Sequence, residues 1–134
     1  METSFNSNNN ILVDPIKLTS KELIRETNFS DWIELPEYLC DGLTCKRIKT
    51  PKSYDGFLLR YSTGSRTIPH VNTEEYEILN VRSGTITNLI TNETCVEGET
   101  MVINKDEVHE IYCQEEAYVY FVTTKKQSEL TILT

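Results

Sequence analysis

The sequence predicts an all-β fold, a barrel or sandwich of short strands. Three observations carry that expectation. From residue 43 onward, stretches rich in Val, Ile, Thr, Tyr and Phe recur at roughly 8–12-residue spacing. Gly, Asn and Asp stand between them, where the backbone must turn. No internal repeat of convincing period is present, which argues against a solenoid or propeller.

The elements follow in order. Residues 1–10 are polar and rich in Asn and Ser, so they read as an arm unable to bury apolar surface. Ile11-Leu12-Val13 is a short apolar run ended by Asp14-Pro15 and suits an edge strand, added to the barrel or to a second copy of the chain. Thr19 and Glu22 fit a capping box before Leu23-Ile24, which predicts a short helix over 20–27. Strands are expected at 43–49, 57–63, 76–82, 85–91, 94–97, 100–104, 108–113 and 118–124, with Ser83-Gly84 as a tight turn and Asn92-Glu93 as another. The tail 130–134 reads as a last strand. Three segments result: an arm with a packing segment over 1–42, a barrel over 43–124 and a C-terminal strand or tail over 125–134.

Composition narrows the function classes. The chain has 134 residues, 38% hydrophobic and 25% charged, which suits one globular domain. Its net charge of −8 repels phosphate, so nucleic acid and anionic membranes are not expected partners. The start has neither a basic nor an apolar stretch, and a cytoplasmic location is expected. Cys40, Cys45, Cys95 and Cys113 then stay reduced, and they form no Cys-x-x-Cys pair. On that basis the sequons at Asn28 and Asn92 are chance matches.

Chemistry-bearing residues concentrate in one region. The two histidines, His70 and His109, both lie among the strands and near acidic residues. His70 and Asn72 share a face if extended. On the strand that starts at Tyr76, Glu77 shares a face with Leu79 and Val81. A carboxylate on an apolar face needs compensation, because burying an unpaired charge is costly. His109 likewise sits on a row with Ile111 and Cys113. Two imidazoles and a carboxylate answer the need in one of two ways. They hold a metal ion, or they form an internal hydrogen-bonded cluster. Of the adjacent Arg60 and Tyr61, only one can face inward to line a substrate cavity, and Cys113 is a further lining candidate.

The spacing Gly64-(x5)-His70-x-Asn72-(x4)-Glu77-(x6)-Gly84 resembles the first cupin motif, with Asn72 where a second His is usual. Gly98-(x5)-Asn104-x-Asp106-(x2)-His109-(x3)-Cys113 resembles the second, with Asn104, Asp106 and Cys113 replacing Pro, Gly and Asn. Trp32-Ile33-Glu34-Leu35-Pro36, Gly42-Leu43-Thr44-Cys45-Lys46 and Leu58-Leu59-Arg60-Tyr61-Ser62-Thr63-Gly64 are similar to the group that holds the ChrR-type anti-sigma cupin and the acetylacetone-cleaving dioxygenases. Anti-sigma factors of that type carry a separate helical zinc-binding domain first; residues 1–42 contain no His and only Cys40, so a full anti-sigma role is not expected.

The resemblance implies a double-stranded β-helix, or jelly-roll barrel. It implies one divalent metal, Fe, Zn, Mn or Ni, at His70, Glu77 and His109, with Asn72 a weak ligand or none. It also implies a small-molecule ligand and a homodimer. Three roles stay open: a dioxygenase-like enzyme on a small organic substrate, a non-enzymatic metal- or ligand-binding module, and a metal-free cupin.

Overall fold

The computed structural model describes residues 15–18, 27–50 and 55–125. The expected strand at Ile11-Leu12-Val13, most of the expected helix over 20–27 and the tail strand at 130–134 lie outside the described residues. Within them the fold is all-β. No helix among the described residues is long and apolar enough to cross a membrane.

Ten strands are described: β1 (Ile16–Leu18), β2 (Ile33–Glu34), β3 (Leu43–Ile48), β4 (Asp55–Tyr61), β5 (His70–Asn72), β6 (Tyr76–Asn88), β7 (Glu93–Cys95), β8 (Thr100–Ile103), β9 (Val108–His109) and β10 (Ile111–Thr124). One sheet has the order β2-β3-β4-β10-β6-β7, with β8 also on β6. The other is short, in the order β1-β5-β9. Every pairing is antiparallel except that of β1 with β5. The two sheets enclose a core in which Phe57, Val81, Ile86, Met101 and Val119 are fully buried, with Leu35 and Leu39 from the segment after β2.

Two expected boundaries change. Residues 76–82 and 85–91 are not two strands around a turn at Ser83-Gly84; β6 runs straight through. Gly84 has φ +84°, and a Cβ there would stand 2.1 Å from the Glu116 carbonyl oxygen. Opposite it the register of β10 shifts between Cys113 and Val119. Gly84 therefore serves a bulge where two backbones approach closely, rather than a hairpin. The second change is at 108–113. The chain leaves the small sheet after His109 and joins the large one at Ile111, so one expected strand is shared between β9 and β10.

The turn before His109 survives its unusual sequence. Asp106 adopts φ +67° where the second motif usually has Gly. Asp is one of the few residues that tolerates this conformation. Its N–H donates to the Asn72 carbonyl at 2.8 Å, which ties the turn to β5.

Candidate functional site

The site forms where the small sheet faces the large one. β5 and β9 pair so that His70 lies directly opposite His109. Their ring centroids are 4.0 Å apart. Glu77, near the start of β6, approaches from the other sheet. Its Oε1 lies 3.3 Å from His109 Nε2. All three side chains are buried.

Backbone carbonyls fix both rings. His70 Nδ1 donates to the Ile68 carbonyl at 2.7 Å, and His109 Nδ1 to the Glu107 carbonyl at 3.2 Å. Each donor bond leaves Nε2 as the nitrogen available to the cluster. Asn72 completes the arrangement. Its Nδ2 donates to Glu77 Oε2 at 3.1 Å, while its Oδ1 accepts from the N–H groups of Glu74 and Glu75. Two backbone donors on Oδ1 determine which end of the amide faces Glu77.

Electrostatics follows from this geometry. Burial raises the Glu77 pKa, but the His109 charge and the hydrogen bonds from His109 and Asn72 outweigh it and hold the carboxyl below its ordinary value. Burial disfavours charge on His109, yet Glu77 reverses that and raises its pKa. For His70, burial and then the neighbouring His109 lower the pKa to about 4, so this ring is neutral. The cluster is an ion pair with a neutral imidazole beside it.

The donor chemistry fits a divalent cation: two anchored imidazoles and an oriented carboxylate. The spacing is closed in on itself. Among the described residues no group of three or more His, Cys, Asp or Glu side chains stands as a ready-made metal centre. The His109–Glu77 separation of 3.3 Å is one that two ligands about 2.1 Å from a shared ion also have, so an ion would displace the proton between the donors without spreading them.

A cavity of about 40 Å³ adjoins the cluster. Leu39, Leu59, Leu79 and Phe121 form much of its wall, and Tyr61, Thr67, His70, Glu77 and His109 bring polar atoms to it. Tyr61 thus faces inward, and burial pushes its phenol pKa well above the ordinary value. Arg60 does not line the cavity, because side chains alternate along β4. It is exposed and pairs with Glu116 at 3.1 Å. Cys113 is buried in the core without lining the cavity, its thiol directed to the carbonyls of Tyr61 and Glu115.

Sequence reasoning missed Thr67, whose hydroxyl accepts from the Ile111 N–H at 2.8 Å. A lone Thr in a loop gave no signal. It also missed β1 beside β5, since a three-residue strand has too little pattern to detect.

Neither the protein-family models nor the curated proteins give a match to this chain. Solved structures do. KdgF from Halomonas sp. is similar with a TM-score of 0.61 at 14% identity, over 75% of this chain and 90% of that one. An RmlC-like cupin from Shewanella frigidimarina gives 0.61 at 9% identity, over 78% and 95%. An acetylacetone dioxygenase from Acinetobacter johnsonii gives 0.60 at 13% identity, over 92% and 80%. At such identities the likeness speaks for architecture and not for activity, and with the paired sheets and the motif spacing it establishes that this chain has the cupin fold.

Proposed function

We propose that this chain is a small-molecule cupin in which His70, Glu77 and His109 hold one divalent metal ion beside the apolar cavity. The pair of anchored imidazoles carries this reading, since each Nδ1 is committed to a backbone carbonyl and each Nε2 is turned to the cluster. Two imidazoles and a carboxylate suit Fe(II) and also accept Zn, Mn or Ni. A bound ion would supply Lewis acidity toward a substrate oxygen or an open position for dioxygen. Asn72 is no ligand in this reading; it holds Glu77 in place. The leucine wall gives the ion an apolar flank. Oxygen-dependent cleavage of a small organic molecule is the reaction class this reading takes, and an acetylacetone dioxygenase is among the neighbours in fold. In this reading the chain is a homodimer, and removing residues 1–16 should shift it toward monomer in light scattering.

A second reading has its own support. The direct His109–Glu77 contact, and Asn72 in place of an imidazole, favour a metal-free cupin that binds or senses a small ligand. Elemental analysis of protein purified without chelator separates the two. The first reading expects about one metal per chain, lost in His109→Ala together with the metal-dependent rise in melting temperature. Oxygen consumption is then screened if the metal is iron. No uptake after reloading with each ion overturns the metal site and leaves the second reading.

A further inference from the structure

We propose that the chain beyond Lys125 folds back over the outer face of the large sheet and seats Leu130 and Ile132 on Val122 and Ile78.

Alternation and register define the seat. Leu59, Glu77, Leu79 and Phe121 face the cavity, so Gly56, Ile78 and Val122, an odd number of residues away on the same strands, face outward. Cross-strand pairing puts Ile48, Gly56, Val122, Ile78 and Val102 in one apolar row across β3, β4, β10, β6 and β8. Left bare, such a row invites association with another chain. Yet Ile78 and Val122 are each 3% exposed, and neither belongs to the core cluster inside the barrel. The small sheet lies against the inner face, so no described strand covers them. The single chain buries both side chains, so the cover comes from the same chain and not from a second copy.

The place where β10 ends selects the segment. β10 is paired with β4 and with β6 as far as Thr123, so the chain that leaves it finds no free edge beside it among the described residues. The inner face is filled by the core. The outer row is within reach, since Val122 stands only three residues before Lys125. Residues 126–128 are polar, and Leu130 and Ile132 then share one face of an extended stretch. The segment 126–134 spans up to about 30 Å, against about 5 Å between neighbouring strands. Leu23-Ile24 is the competing apolar pair, but its segment is held at both ends away from β10. Leu18 pairs with Asn72 in the small sheet, and the Asn28 carbonyl accepts from the Arg47 N–H on β3.

The full chain, with isotope-labelled Ile, Leu and Val methyls, is exposed to a soluble paramagnetic agent. The methyls of Ile78 and Val122 should relax as little as those of the core residue Ile103, while Ile90, which is 42% exposed, relaxes strongly. Leu130→Asp with Ile132→Asp should raise relaxation at Ile78 and Val122 toward the Ile90 level. Ile103 should stay protected, as the sign that the barrel stands. Leu23→Asp is the comparison and should leave Ile78 and Val122 protected. If the double variant does not fold, methyl NOEs in the parent decide: contacts from Leu130 and Ile132 to Val122 and Ile78 are expected within one chain. Protection kept in the folded double variant, protection lost in Leu23→Asp, absence of those NOEs, or NOEs seen only between differently labelled chains would each overturn the proposal.

Discussion

Asn72 gives its amide N–H to Glu77 at 3.1 Å and takes two backbone N–H groups on its oxygen, so it locks the carboxylate and the following loop together. A position that usually supplies an imidazole here supplies a brace. Asn72→Ala removes all three bonds from a buried place. It should cost about 2–3 kcal/mol by chemical denaturation. Asn72→His loses the same bonds while offering an imidazole, so the metal-free variant should also be less stable than the parent. A stability unchanged in both variants would show that the brace carries no energy.

Gly84 and Gly98 both have positive φ, but only Gly84 is crowded, by the Glu116 carbonyl and the Ala117 Cα. Alanine at Gly98 meets open space and should cost about 1 kcal/mol from backbone strain alone. Alanine at Gly84 must also move β10, and should cost at least about 3 kcal/mol. Equal losses in the two variants would place the cost in the dihedral and not in the contact.

Burial pushes the Cys45 thiol up to about 12 from its ordinary 9. In the unfolded chain this thiol ionises near pH 9, and in the fold it stays protonated to about pH 12. The unfolded state therefore loses its proton first, so stability is full below pH 9 and falls as pH rises from 9 toward 12. At pH 10 the loss is about 1.4 kcal/mol for one unit. Cys45→Ala should flatten that part of the curve against the parent. The same slope in both proteins would mean that Cys45 is more solvated than its position in the core indicates.

Much of this was legible in the sequence, and for physical reasons. The strands announced themselves through β-branched and aromatic runs between turn residues. Glu77, His70 and His109 stood out because polar groups on apolar rows need partners, and the fold brings all three together. What stayed hidden depends on three-dimensional registry. Alternation left Arg60 and Tyr61 equally eligible until the sheet decided which face of β4 is inside. Gly84 read as a turn because a positive-φ glycine serves turns and bulges alike. The Nδ1 anchors could not be read at all, since the acceptors are backbone carbonyls of Ile68 and Glu107, which every residue type possesses.

The buried pair of Glu77 and His109 makes a last prediction that distinguishes a coupled cluster from two independent side chains. Removing one partner leaves the other buried without its counter-charge, so Glu77→Gln or His109→Gln alone should cost about 3–5 kcal/mol in metal-free protein. The double variant leaves no orphaned charge. Its loss should fall short of the sum of the single losses by at least about 1 kcal/mol, the mark of direct coupling in a double-mutant cycle. Denaturant unfolding of the four proteins at neutral pH supplies the cycle. Simple additivity would mean that the 3.3 Å contact contributes nothing as a pair, and that burial alone sets the cost at each position.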